Sequence, residues 1–534
     1  MAGSTNYKSI VFCFFVAFGG FLFGYDIGVI SGCLIMPDFI QRFGEWDPVK
    51  NEYFLSSNRS SIITSLLSAG TFIGALGQAF TADMKNGRRG SIFIWSAIFT
   101  VGVAVQTGTN RSIVQITVGR FIAGLGVGAM SAIVPLYIGE AAPKKIRGAS
   151  LPCTSCRFVI IGGLCFSYIL DLATHSIKNS SSWRVPVGLQ LLWGIILMVG
   201  IVILPESPRH LLGQGREADA RKAIGALNGV NENDPVVEDV IGQLSVAIAE
   251  ENEGGKTTWL ECFSTRNMLW KRTLNGMMLQ FLQQLNGQNF FYYYAPLFFK
   301  TAGTGLSPYV IQVIMGVVSV AGTIPALWLI ENLGRRKSLL IGAAWEAICA
   351  LIASLVGHFL MAASGTPDNE LTARNKTGGN VMVAFAILHV MGFSMFWGPT
   401  PWVYLGESFP LRVRPKAIAL GSATNWLWNF LLGFFAPRIA DHIGALILMI
   451  FFGMLIVSIF YVYFFVPEVK GLSLEEIDEL YRSHVKPWNS ASWKPSGGHY
   501  AHKGQVLENE KHEHRDTSHD GSLKEEAHVK TETV

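Results

Sequence analysis

Tyr137-Ile-Gly-Glu140-Ala-Ala-Pro143-Lys-Lys-Ile-Arg147 aligns without a gap with Tyr404-Leu-Gly-Glu407-Ser-Phe-Pro410-Leu-Arg-Val-Arg414, and each copy closes a long apolar run. Two more pairs keep the same order along the chain. Gly87-Arg88-Arg89 matches Gly334-Arg335-Arg336, and Pro205-Glu206 matches Pro467-Glu468. These matches divide the sequence into two related halves, each holding six apolar runs, so the chain reads as a duplicated six-helix unit.

The runs are roughly 20 residues long, the length of helix that crosses a hydrocarbon core of about 30 Å. They fall near 10 to 36, 62 to 82, 91 to 108, 113 to 139, 149 to 172 and 185 to 204. The second set falls near 272 to 300, 308 to 330, 338 to 360, 381 to 405, 416 to 440 and 443 to 466. Half of the 534 residues are apolar and 15% are charged. With a mean hydropathy of +0.34, that composition excludes an ordinary soluble protein. The first run is too long for the apolar core of a secretory signal and lacks a clear small-residue cleavage site, so it is expected to stay as helix one.

The net charge of +4 decides little, because orientation follows where Lys and Arg sit. Compact basic clusters (Lys85, Arg88, Arg89; Lys144, Lys145, Arg147; Arg335, Arg336, Lys337; Arg412, Arg414, Lys416) all fall in loops on the side of the termini, which is therefore expected to be cytoplasmic. The sequons at Asn58, Asn110, Asn179 and Asn375 fall in the opposite loops, where glycans attach. The expected organisation is an N-terminal segment over 1–9, a first bundle over 10–209, cytoplasmic linker helices over 210–271, a second bundle over 272–466 and a mostly disordered cytoplasmic tail over 467–534. The seven cysteines follow no disulfide or metal spacing and read as packing residues. No catalytic triad, nucleotide loop or metal cluster is present in the pattern, and the Gly124-Leu-Gly126-Val-Gly128 run reads as a close-packing face of helix four.

Several motifs carry a resemblance over roughly 10 to 480: Gly24-Tyr25-Asp26, Asp83 with Gly87-Arg88-Arg89, Gly119-Arg120, Glu140 to Arg147, Pro205-Glu206-Ser207-Pro208-Arg209, Gln283-Gln284-Leu-Asn-Gly-Gln-Asn289, Glu331 with Gly334-Arg335-Arg336, and Pro467-Glu468. The chain resembles the sugar porter family of the major facilitator superfamily, and within it the fungal hexose transporters. The resemblance implies an all-α membrane protein of twelve transmembrane helices in two pseudo-symmetric six-helix bundles. It also implies monosaccharide transport by alternating access, at a plasma membrane, with no cofactor, no nucleic-acid partner and a monomer sufficient for function.

The residues support that reading on their own chemistry. Sugar hydroxyls both donate and accept, and a carboxamide matches both without bringing a charge into the bilayer. Gln283, Gln284 and Asn289 supply such groups. In a continuous helix Gln283 and Asn289 stand about 120° from a shared face and Gln284 and Asn289 about 140°, so they converge only if helix seven breaks, which Gly287 permits. The alternative is that these amides glue helices together. The resemblance implies sugar binding at the three amides and at Trp402, Trp426 and Asn425, with Tyr292 and Tyr293 as an outer gate.

Asp26 lies mid-span and needs a partner or a proton, and Arg120 in helix four is the natural one. A pair that opens on protonation would couple a proton gradient to transport, whereas a permanent pair would be structural; fungal hexose carriers with an Asp here include facilitators. The charges Asp83, Arg88, Arg89, Glu140, Arg147, Glu206 and Arg209, with Glu331, Arg335, Arg336, Glu407, Arg414 and Glu468, are expected to form inter-helix salt bridges on the cytoplasmic side. Positive charge serving topology alone explains the arginines but not the recurring glutamates.

The sequence departs from the family in helix five. Ser155 stands where a sugar-binding glutamine is usual, inside Leu151-Pro-Cys-Thr-Ser-Cys-Arg157. Codons for that segment, read two bases on, can encode Leu-Tyr-Gln-Leu-Ser, so either the segment is a real change that alters specificity or it reflects a local frame slip or splice-junction error, and sequencing the transcript decides between them. Ser319 replaces a helix-eight asparagine, Val469 interrupts a Pro-Glu-Thr ending, and Asp83 lies one residue farther from its Gly-Arg-Arg than is common. Glu346, inside helix nine, has no family role and is expected to snorkel or join a local ion pair rather than act as a second proton site. Other polyol-like solutes, such as a pentose, inositol or quinate, remain alternatives, as does a non-transporting sugar sensor.

Overall fold

The computed structural model describes residues 7–49, 51–81, 87–141, 150–252, 258–301, 306–360, 372–410 and 412–495. The first half runs α1 (Tyr7–Cys33), a short α2 (Pro37–Phe43), a ribbon of β1 (Glu45–Asp47) and β2 (Glu52–Phe54), then α3 (Ser57–Thr81), α4 (Gly87–Thr107), α5 (Ile113–Ala141), α6 (Ser150–Thr174) and α7 (Ser181–Ile203). Three helices follow outside the spans, α8 (Pro208–Gly213), α9 (Glu217–Asn228) and α10 (Pro235–Asn252). The second half is α11 (Leu269–Gln284), α12 (Gln288–Thr301), α13 (Pro308–Leu333), α14 (Arg335–Leu360), α15 (Ala373–Met395), α16 (Thr400–Glu407), α17 (Arg414–Ile443) and α18 (Ile447–Phe465), with α19 (Leu474–Arg482) after it.

Among the described residues ten stretches are long and apolar enough to cross a bilayer, and the last of them, Arg414–Phe465, contains both α17 and α18. Helices α11 and α12, each short and rich in amides, together make the remaining span, the seventh. Spans seven and ten are each broken: the amide spacing anticipated the break in span seven, whereas span ten was expected as a single helix over 381–405. Leu285 to Gly287 separates α11 from α12, with Gly287 at φ +95°. Between α15 and α16 the chain turns at Phe396 to Pro399, where Pro399 and Pro401 supply no N–H to continue the helix. The small ribbon β1–β2, in which Glu45 pairs with Phe54 antiparallel, had no signal in the sequence reading.

The halves meet where α3 packs on α17, α6 on α13 and α1 on α12. Within the first half α3 and α5 approach so closely that a Cβ at Gly128 would lie 2.1 Å from the Thr71 carbonyl oxygen, as the small-residue run anticipated. One apolar core is continuous across the interface, from Tyr25, Ile30, Phe39 and Trp183 to Phe290, Tyr294 and Phe451; a second, around Phe99, Val127 and Leu197, is confined to the first half.

The tail over 467–534 was expected to be mostly disordered, yet its first part carries α19, which is docked. Arg272 of α11, 1% exposed, pairs with Asp478 at 2.5 Å and lies over the Tyr481 ring, while the Tyr404 and Tyr481 hydroxyls bond at 2.8 Å. Ser473 and Glu476 form a capping box that starts this helix. Residues 496–534 lie outside the described residues.

Candidate functional site

The break between α11 and α12 sits at the face where the halves meet, and it turns amides from both sides of the break toward α17. Gln283 Nε2 donates to the main-chain oxygens of Trp397 (2.7 Å) and Gly398 (2.9 Å) in the turn between α15 and α16. Its Oε1 accepts from Asn425 Nδ2 at 2.9 Å, and Asn425 also donates to Gln280 Oε1 at 2.7 Å. Gln284 Oε1 accepts from Asn429 Nδ2 at 3.1 Å and from Asn289 Nδ2. Asn429 Oδ1 accepts in turn from Ser68 Oγ of the first half (2.6 Å) and from the Tyr293 hydroxyl (3.0 Å). Gln280, Gln283, Gln284, Asn425 and Asn429 are all buried. The result is a band of neutral donors and acceptors bonded to one another, each able to exchange a partner for a hydroxyl, with Gln280 Nε2 left without a partner among the described residues.

Of the expected site residues, Gln283, Gln284, Asn289 and Asn425 come together in this band. Trp426 is beside it, with its indole N–H 3.4 Å from Ser131 Oγ across the interface and its ring edge-on to Phe23 at 5.0 Å. Trp402, in the first turn of α16, packs against the cluster that holds Leu405 and Phe409. Tyr292 and Tyr293 are buried; the Tyr292 main-chain oxygen accepts from the Tyr168 hydroxyl of α6 at 3.1 Å. The sequence reading missed Asn429 and Gln280. Asn429 stands one helical turn after Asn425, and Gln280 one turn before Gln284, so helical spacing from the chosen amides was the available signal.

Arg157 of α6 also reaches this region. Its guanidinium lies 5.1 Å from the Phe393 ring centre, a Cβ at Gly398 would be 3.0 Å from its Nη2, and its Nε and Nη2 have no hydrogen-bond partner among the described residues. Side chains 151–156, Ser155 included, lie outside the described residues.

Asp26 and Arg120 face each other, Oδ1 to Nη1 at 3.5 Å, with the carboxylate 0% and the guanidinium 1% exposed. The geometry is loose: both Asp26 oxygens lack a hydrogen bond among the described residues. Asp171 near the end of α6 is a second buried acid, which the sequence reading passed over; it lies against Gly32, whose added Cβ would be 2.2 Å from its Oδ2. Glu346 does not snorkel. It is 0% exposed at mid-helix, bonded to Asn286 Nδ2 at 2.9 Å and 3.8 Å from His389 Nε2.

At the other end of the spans the duplicated motifs make duplicated clasps. Arg88 joins Glu140 at 3.2 Å as Arg335 joins Glu407 at 2.5 Å. Glu206 accepts the main-chain N–H groups of Arg88 (3.0 Å) and Arg89 (3.1 Å), and Glu468 those of Arg335 (2.9 Å) and Arg336 (3.0 Å), satisfying the free donors that open α4 and α14. Gly87 (φ +65°) and Gly334 (φ +87°) admit these carboxylates: an added Cβ would be 2.3 Å from Glu206 and 2.5 Å from Glu468. Burial raises the Glu206 pKa, and those same N–H bonds oppose the rise. All four glutamates thus tie helices within one half. Arg209 is in α8, Arg414 opens α17 with its Nε donating to the Phe409 main-chain oxygen at 3.2 Å, and Glu331 is in the last turn of α13. Asp83 and Arg147 lie outside the described residues.

The exposed sequon asparagines include Asn58 and Asn110, whose Oδ1 atoms accept from Arg438 and Arg184, and Asn179, which accepts the Ser181 N–H. Asn375 is engaged in the α15 cap, with Nδ2 donating to the Leu360 main-chain oxygen at 3.0 Å.

Two look-alike six-helix bundles meeting over a buried band of amides define a membrane transporter, the class in which the site lies between repeats. The chain belongs to the sugar (and other) transporter family, whose sequence model matches residues 12–481. The galactose transporter of Saccharomyces cerevisiae is 38% identical over 484 residues, spanning 91% of this chain and 83% of that protein. Hexose transporter 2 of Kluyveromyces lactis is 37% identical over 486 residues, spanning 91% and 85%. Among solved structures, the major facilitator proton:xylose symporter XylE bound to 6-bromo-6-deoxy-D-glucose superposes with a TM-score of 0.70 at 24% identity, covering 90% of this chain and all of that one. That likeness establishes the fold. The chain is a transporter and not an enzyme.

Proposed function

We propose that the protein carries a hexose, glucose or a close relative, across the plasma membrane by alternating access, with both termini cytoplasmic. The observation that carries this reading is the amide band: Gln283, Gln284 and Asn289 flank a helix break and meet Asn425 and Asn429 at the interface, where a sugar can replace amide–amide bonds one for one. Trp426, against the band, offers an apolar face to a pyranose ring. Relatives named for galactose and hexose transport support a hexose over inositol or quinate.

Tyr292, Tyr293, Ser68 and Asn429 would form the outer gate. Hydrogen bonds crossing the halves in the described residues cluster at that end: Gln312 to Ser31 at 2.7 Å, Tyr168 to Tyr292, and Arg438 to Asn58. The buried Asp26–Arg120 pair would take up the coupling proton. Uptake of labelled glucose, galactose, xylose, fructose, inositol and quinate in a transporter-null cell, with and without a proton uncoupler, tests the assignment. Replacing Gln283 and Asn289 by Ala is expected to lower hexose kcat/KM at least about 100-fold at normal surface abundance, from two lost hydrogen-bonding groups at about 1.4 kcal/mol each. Unchanged saturation would sink the site; normal surface expression of the wild type with no uptake would favour a sensor.

A further inference from the structure

We propose that Glu346 and Asn286 form a tether that fixes the break in the seventh span and so positions the amides on either side of it. The proposal rests on the transport reading above. Asn286, 1% exposed, lies inside the break and uses both ends of its amide. Its Oδ1 accepts the main-chain N–H of Gln288 at 3.0 Å, opening α12, and its Nδ2 donates to Glu346 Oε2 at 2.9 Å on α14. One side chain therefore starts the second half-helix and ties that start to a neighbouring span.

Glu346 is an acid at the middle of a largely apolar span, where a carboxyl is expensive unless it has a partner. Its Oε1 has no hydrogen-bond partner among the described residues, and the His389 Nε2 facing it is 3.8 Å away, beyond hydrogen-bond distance. His389 is itself held by its Nδ1, 3.2 Å from the Glu346 main-chain oxygen, and Phe291 of α12 packs on its ring at 5.4 Å. The side-chain hydrogen bond that Glu346 makes is thus the one to the break. Gln284 and Asn289, two residues before and three after Asn286, bond each other across it. A loosened start of α12 moves Asn289 away from Gln284 and spreads the band that receives the hydroxyls, which must be held to within about 0.5 Å to stay productive.

The test is a double-mutant cycle on the full-length chain in a transporter-null cell, with surface abundance measured by an appended fluorescent tag. Glu346→Leu and Asn286→Ala are each expected to raise the hexose KM at least about fivefold with a smaller change in maximal rate, and the double variant to be no worse than either single. Glu346→Gln keeps an acceptor for Asn286 and is expected to stay within about twofold of wild type, which separates a tether from a need for charge. Singles within twofold of wild type, or effects that multiply in the double variant, would overturn the proposal. Hydrogen exchange on the purified protein reads the tether without any substrate: faster exchange over 285–291 in both single variants supports it and unchanged exchange overturns it. A wild type that takes up no hexose counts against the transport reading, and the exchange measurement then decides the tether alone.

Discussion

Two charged side chains in the spans carry opposite lessons. Asp26 has a cation facing it at 3.5 Å but makes no close hydrogen bond, a geometry suited to a carboxyl that gains and loses a proton rather than to a permanent clamp. Asp26→Asn is expected to abolish accumulation of sugar against a gradient while leaving equilibrative exchange, measured by counterflow in vesicles; unchanged accumulation removes the coupling role. Arg157 has no carboxylate partner in the described structure and projects beside Gly398, into the region where Gln283 finds its acceptors. A central guanidinium costs about 2.5 to 3.5 kcal/mol on insertion scales. Arg157→Ser is therefore expected to raise both surface abundance and hexose uptake, and a fall in uptake would show that the cation serves the substrate.

At the scale of elements, the break in span seven was legible in the sequence and the break in span ten was not. The amides were legible because six polar residues within Gln280 to Asn289 stand out against apolar neighbours, and their mismatch with a straight helix pointed to the break itself. Its partners were not legible. Asn429, Glu346 and His389 lie 145, 60 and 103 positions away from Gln284, Asn286 and Asn286 in the chain, and contacts between helices leave no trace in local periodicity. The same limit hid the docking of α19, whose charged sequence reads as a solvated tail until Arg272 supplies a buried counter-charge. Asp478→Ala leaves that guanidinium unpaired and is expected to destabilise the protein by about 3 kcal/mol or more. Thermal unfolding in detergent measures this, and a Tm equal to wild type would mean α19 adds nothing to the second bundle.

For the whole molecule, the duplication read from Glu140 and Glu407 survives into atomic detail: the same arginine, the same pair of main-chain donors and the same left-handed glycine recur in each half. Twelve spans in two bundles followed from that repeat and its apolar runs. Which contacts cross the interface did not, because a repeat describes each half and says nothing of how the two touch.

The doubled clasps bind helices inside a bundle, whereas the hydrogen bonds spanning the seam at Ser31, Ser68 and Tyr168 are between uncharged partners. Among these described contacts, rocking one bundle over the other exchanges dipoles and one cation–amide bond, that of Arg438 to Asn58. Turnover measured in sealed vesicles is accordingly expected to vary less than about twofold between low and molar potassium chloride, a medium that shortens the Debye length from about 30 Å to about 3 Å.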